Sequence, residues 1–358
     1  MKIAIIDADL IGRRKHRFPN LACMKISGYY KNRNNEVVLK MDYENLSDFD
    51  KVFISKVFTD TSINEKVLLL PNVEYGGTGF FYDKAPSLPY EIEHSMPDYH
   101  LYDEWVEWRK MLGDKSDFRY YTDYSIGYMT RGCFRHCSFC VNQNYNKVIL
   151  HSPLKEFYDP SRKKICLLDD NVLGCVYWRE IFKELQSTGK RFQFRQGMDE
   201  RLLTDEKCKV IFSSKYDGEY IFAFDNIADH DLIKDRLDLI RRYTDKRLMF
   251  YVFCGYDRNN GWDSEFWIRD IFDMLKRVKL LQEYHCLPYI MRFARYIESP
   301  YQGVYKTIAT WCNQPSFFKR TTLREFGLLS GEKSARYKYI RDFENKFPTF
   351  SKYMDMRW

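Results

Sequence analysis

The chain of 358 residues has no run near the ~18 consecutive apolar residues that a membrane span needs. This excludes an integral membrane protein, and no membrane partner is expected. The opening, Met1-Lys2-Ile3-Ala4-Ile5-Ile6-Asp7, is interrupted too soon by Asp7 and Asp9 for a secretory leader, so a cytoplasmic location is expected. There is no internal repeat and no low-complexity tract. Charge of one sign is also scarce. Lys plus Arg is 57 and Asp plus Glu is 50, a net +7 that permits a polyanionic partner without requiring one. With 45% hydrophobic and 30% charged residues, the chain can bury a real core, and its length allows two domains.

Aromatic residues, by contrast, are abundant at 17%, mainly 28 Tyr and 27 Phe. Many must be core, and a few suit stacking on bases. Ten cysteines are present. Seven of them (Cys23, Cys166, Cys175, Cys208, Cys254, Cys286 and Cys312) are scattered and read as small buried apolar side chains. The other three, Cys133, Cys137 and Cys140, fall close together. Without a leader, a disulfide framework is a poor reading of any of them.

The pattern along the chain is α/β. Residues 1–95 alternate strands, predicted at 2–6, 37–41, 51–57 and 66–70, with a helix over 18–30. Tyr75-Gly76-Gly77-Thr78-Gly79 is a glycine-rich turn after the last of them. Residues from about Pro86 to Asp123 read as a link, with 96–124 as the linker between the domains. It holds Pro86, Pro89 and Pro97 and many acidic and aromatic residues, and is expected to pack rather than float. From residue 125 to 315, six strands are predicted at 125–130, 164–168, 192–195, 220–224, 248–253 and 287–293. Helices are predicted between them at 176–186, 204–212, 230–243 and 263–281, and after them at 302–312. Six strands alternating with helices argue for a parallel sheet with crossover helices, and are too few for a closed eightfold barrel. A partial (β/α)6 TIM-like barrel is expected, preceded by a small Rossmann-like α/β domain and followed by a short C-terminal extension, 316–358. Ligands should sit at the carboxyl ends of the strands.

The segment Tyr128-Met129-Thr130-Arg131-Gly132-Cys133-Phe134-Arg135-His136-Cys137-Ser138-Phe139-Cys140 follows the first of these strands. A loop of this spacing can bring three thiolates to one centre. Structural zinc usually wants four ligands, no second cysteine pair lies nearby, and His136 is badly placed beside Cys137. Three thiolates suit a [4Fe–4S] cluster with one iron left open.

Cys-x-x-x-Cys-x-aromatic-Cys, led by Thr130-Arg131-Gly132, resembles the radical S-adenosylmethionine (radical SAM) superfamily over residues 125–315. The resemblance implies that Cys133, Cys137 and Cys140 ligate three irons and that the open iron takes S-adenosylmethionine. The reduced cluster would cleave it to a 5′-deoxyadenosyl radical that abstracts hydrogen from a substrate. A reducing donor such as a flavodoxin or ferredoxin, and an anaerobic cytosol, are implied with it. Phe139 is placed near adenine. Asp170 and Asn171 stand where members often have Gly-Gly-Glu for the methionyl amino group; a turn or helix N-cap is the competing reading of those two residues. Arg195 is a candidate for the cofactor carboxylate.

Residues 1–95 resemble the B12-binding-like domain of many members, with Gly76-Gly77 at its glycine pair. No Asp-x-His-x-x-Gly segment occurs, so cobalamin is not expected. The substrate-side candidates are Asp199, Arg201, Asp225 and Arg292; Asp199 and Arg201 equally suit a local ion pair. Cys254 or Tyr256 could donate a hydrogen atom to a product radical, against a plain buried-thiol reading of Cys254. The tail, Phe317-Phe318-Lys319-Arg320 through Arg336-Tyr337-Lys338-Tyr339, mixes bases with rings. It favours a nucleotide or nucleic-acid substrate, with a solvated helical face as the competing explanation. Modification of a peptide or small metabolite is the second enzyme reading. A non-catalytic iron–sulfur or zinc protein that binds nucleic acid is the reading from another class.

Overall fold

Lys2–Asp7 (β1) is buried along all but its first residue, as expected of an apolar strand covered on both faces. In the computed structural model, which describes residues 1–13, 18–142 and 144–358, β1 pairs in parallel with Glu36–Leu39 (β2) and Lys51–Ser55 (β3). Val73–Gly76 (β4) completes a four-stranded parallel sheet of order β2-β1-β3-β4. Helix Leu21–Lys31, capped by the Asn20 side chain on Cys23 N, packs against this sheet.

The predicted strand at 66–70 is instead a 3-10 helix, Glu65–Leu69. Asn64 caps it at Lys66 N, only Val67 is buried, and Leu69 is 85% exposed, so the apolar run has no sheet face to fill. The true strand is the half-exposed β4, which runs into the glycine pair.

Residues Met1–Arg195 form one compact unit and Gln196–Trp358 a second. Besides the four-stranded sheet, the first unit holds Tyr124–Gly127 (β5), a hairpin of Thr130–Arg131 (β6) and Ile149–Leu150 (β7), Lys164–Leu167 (β8) and Arg191–Phe194 (β9). Strands β5, β8 and β9 form a parallel sheet in that order. The link residues are packed. Tyr99, Leu101, Tyr102, Trp105, Val106, Phe118 and Tyr121 share a core with Ile3, Ile5 and Met24. The Tyr99 hydroxyl also accepts from Ile126 N at 2.8 Å and donates to Phe157 O at 2.5 Å. It thereby satisfies the Ile126 amide on the outer edge of β5, which among the described residues has no strand partner on that side.

The second unit carries Tyr220–Ala223 (β10), Leu248–Cys254 (β11) and Cys286–Arg292 (β12), parallel in that order. The long helix Ser264–Glu283 is capped by Asp263 on Phe266 N. Phe266, Trp267, Ile271, Met274, Leu275, Val278 and Leu281 recur along its buried stripe. All six strands predicted over 125–315 are thus present, hydrogen-bonded as two parallel sheets of three.

The tail is folded into this unit. Helices Leu323–Leu328 and Ala335–Lys346 pack with Gln302–Cys312, and Phe318, Phe326, Phe343 and Phe350 are buried. Arg336 lies over Phe326 at 4.3 Å and Lys319 over Trp358 at 5.2 Å. Much of the tail's mixture of bases and rings is therefore internal packing. Among the described residues no helix is long and apolar enough to cross a membrane.

Candidate iron–sulfur site

The cysteine loop begins where β5 breaks. The last ladder bond, Leu168 N to Gly127 O, is 2.9 Å. The predicted strand does not run on to residue 130, because Asp169 diverts the next two amides. Its Oδ2 accepts from Met129 N at 3.2 Å, and its Oδ1 accepts from Thr130 N and Thr130 Oγ1, both at 2.6 Å. The chain then forms β6, which pairs antiparallel with β7 and closes the neck of the loop. Gly132 turns the chain with φ +91°, and a Cβ there would stand 2.6 Å from Lys147 O, so glycine is required by conformation and by space.

The two residues after Asp169 serve the same loop. Asp170 Oδ2 accepts from Gly132 N at 2.8 Å and Oδ1 from Asn142 Nδ2 at 2.7 Å, tying the entry of the loop to its exit. Asn171 Nδ2 donates to Cys133 Sγ at 3.4 Å. Asn142 N donates to Cys140 Sγ, also at 3.4 Å, and Cys140 N to Cys137 O at 2.8 Å. Asp169 is wholly buried; burial pushes its carboxyl up to about 6 against the pull of its hydrogen bonds.

All ten cysteines are thiols. The seven scattered ones are buried, whereas Cys133, Cys137 and Cys140 are half-buried. Burial pushes the thiols of Cys208 and Cys286 up to about 11 and about 12. Among the described residues, no three His, Cys, Asp or Glu side chains are gathered as they would be round a single metal ion. A [4Fe–4S] cube asks for a different arrangement, because each thiolate binds a different iron and the sulfurs stand farther apart than round one ion. The donor set of three accessible thiols on one braced loop, two of them receiving N–H groups, fits such a cube.

Of the other candidates in this unit, Phe139 is half-buried on the loop. Arg195 follows β9, with its guanidinium 5.7 Å from the Tyr120 ring. Behind the neck, His151 Nε2 lies 2.9 Å from Glu93 Oε1, which also meets buried Lys25 Nζ at 2.8 Å. Burial pushes the Glu93 carboxyl up, but His151 and Lys25 outweigh it and hold the group at about 2.

In the second unit, Asp199 and Arg201 form an ion pair of 2.8 Å, and Arg201 also reaches Asp229 at 3.2 Å. Asp225 Oδ1 accepts from Phe253 N at 3.1 Å. Cys254 is buried and donates to Met291 O at 3.6 Å. Tyr256 meets Phe293 edge-on at 5.0 Å. Arg292 is exposed and lies over Tyr296 at 4.4 Å. Sequence reasoning missed Asp169, Asn142 and the buried Glu200. The Asp-Asp-Asn run after a strand was a signal for the first.

No family model matches the chain, and no curated protein matches it. Among solved structures, it is similar to the cobalamin-dependent S-adenosylmethionine radical enzyme OxsB with aqua-cobalamin and S-adenosylmethionine bound. Identity is 11% and the TM-score 0.44, over 96% of this chain. The chain spans 61% of the length of that protein. So remote a likeness decides nothing about the chemistry of this chain.

Proposed function

We propose that this chain is a radical S-adenosylmethionine enzyme whose [4Fe–4S] cluster is held by Cys133, Cys137 and Cys140. What carries the reading is the loop itself: three half-buried thiols at the motif spacing, on a loop braced at its neck and at both ends by Asp169 and Asp170. When bound, the cluster would supply the electron that cleaves S-adenosylmethionine to a 5′-deoxyadenosyl radical. The chain's own part is to hold three sulfurs in place and leave one iron position open.

Asp170 spends one bond per oxygen on the loop, and a carboxylate has acceptor capacity left for an ammonium. Its role toward the methionyl amino group is therefore compatible with its bracing role. Phe139 and Arg195 remain proposed for adenine and carboxylate. Asp199, Arg201, Asp225 and Arg292 are proposed for the substrate from their places after strands, with Cys254 or Tyr256 as hydrogen donors. The substrate class is a nucleotide, nucleic acid, peptide or small metabolite; with its rings largely packed, the tail no longer favours the first two. A flavodoxin- or ferredoxin-type donor in an oxygen-poor cytoplasm completes the proposal. The N-terminal sheet is assigned to packing rather than to cobalamin. At its carboxyl edge, Asp9 is closed over by Val57 N at 2.6 Å and Thr61 Oγ1 at 2.5 Å.

The test is anaerobic reconstitution with iron and sulfide, reduction by dithionite, and addition of S-adenosylmethionine. 5′-Deoxyadenosine is expected from the wild type and not from Cys137→Ala. A fully loaded cluster that releases none would overturn the assignment.

A further inference from the structure

We propose that Asn171 is a positioning residue for Cys133 and that its side-chain amide sets the reduction potential of the cluster; this rests on the three-cysteine reading above. Asn171 stands at the N-cap of the 3-10 turn Val172–Gly174, where asparagine ordinarily caps through its side-chain oxygen. It makes no such cap bond. Its amide instead donates to Cys133 Sγ at 3.4 Å. The residue is only 2% exposed, so water competes little for this bond and its electrostatic effect is large.

Asn171 is also well fixed. It follows directly on Asp169 and Asp170, which are bound to the two ends of the same loop. The amide and the sulfur are thus parts of one braced assembly. The second N–H on a cluster sulfur, from Asn142 to Cys140, comes from the backbone. Among these contacts, Asn171 is the one that side-chain substitution can remove without touching a thiol.

The direction of the effect follows from charge. One-electron reduction by an external low-potential donor adds negative charge to the cube and its thiolates. An N–H dipole aimed at a ligand sulfur stabilises that charge and raises the potential. Asn171→Asp keeps the shape, loses the donor and adds a carboxylate. Asn171→Ser loses the donor without adding charge.

The experiment is an EPR-monitored redox titration of the reconstituted wild type and both variants, with iron and sulfide content measured on each. At equal iron content, reduction should become at least tenfold less favourable in Asn171→Asp, a fall of about 59 mV for one electron. Asn171→Ser should fall in the same direction by less. Unchanged potentials at equal iron content overturn the role of Asn171 and leave the proposed function standing. A wild type that binds only zinc, or forms no cube, overturns the proposed function itself. If neither variant loads, the wild type still decides. With asparagine labelled by 15N in the side chain, the reduced cluster should show a nitrogen hyperfine coupling, and its absence overturns the assignment.

Discussion

Replacing Glu200 by Gln should make the chain more stable at alkaline pH and leave it unchanged at mildly acid pH. Glu200 opens the 3-10 turn Glu200–Leu202 and is 1% exposed. Its Oε2 accepts from Ala223 N at 3.2 Å. Its Oε1 has no hydrogen-bond partner among the described residues. Arg201 Nε is 4.0 Å from that oxygen but is committed to Asp199 at 2.8 Å. Burial first, and the charge of Asp199 second, push the carboxyl from its ordinary 4.5 up to about 8.

A rise of that size corresponds to roughly 5 kcal/mol between the protonated and ionised forms of the buried group. Between about pH 4.5 and pH 8 the folded chain therefore holds a proton that the unfolded chain has lost. Stability must fall as pH rises through that window, by up to about 1.4 kcal/mol per pH unit, and level off above it. Gln mimics the protonated acid in shape and in carrying a donor. The two proteins should match near pH 5, and E200Q should lead by several kcal/mol at pH 9. Urea unfolding at each pH, read as the difference between the two proteins, cancels the other titrating groups. Curves that stay parallel from pH 5 to pH 9 would show that Glu200 is not buried as a neutral acid.

Three further outcomes are expected. Asp170→Ala strands Gly132 N, at about 1–3 kcal/mol for a donor left buried without a partner, and releases the half-buried Asn142 Nδ2. Its iron content after reconstitution should fall well below the wild type, and equal loading would mean that the loop needs no clasp. Glu93→Gln should remove the stability that the wild type loses as pH falls from 4.5 towards 2, since the folded carboxyl is held below its ordinary value; acid unfolding curves of equal steepness would contradict this. Gly132→Ala forces a side chain into φ +91° against Lys147 O. It should cost about 1–3 kcal/mol in thermal or urea unfolding, and a neutral result would mean that the turn can relax.

Much of the fold was legible because buried parallel strands are written as unbroken apolar runs. β1, β3 and β8 were found within a few residues for that reason. β4 was missed because it lies at the edge of its sheet, with Glu74 and Tyr75 exposed. A better apolar run, Val67-Leu68-Leu69, stood just upstream in a 3-10 helix. The hairpin of β6 and β7 has two residues in each strand, too few for any alternation to register.

The site divides along a similar line. On the proposed reading, cysteine spacing is readable because the chemistry would need the thiol itself, so each proposed ligand has its own letter. The groups that brace the loop are mostly backbone amides, at Met129, Thr130 and Gly132, and an amide donor has no letter. Only the acceptors, Asp169 and Asp170, leave a trace, and an Asp pair after a strand is as good a turn signal as a clasp. The sequence reading placed Asp170 and Asn171 after the strand that is β8 and gave them a ligand role. The geometry adds a prior duty: three consecutive residues take successive parts of the loop, Met129 and Thr130, then Gly132 and Asn142, then Cys133. Any ligand role they have is played by side chains already committed to the loop. On the proposed reading, a substitution at either position would change cluster and ligand together, and only a measurement on the cluster alone, such as its potential or iron content, would separate the two.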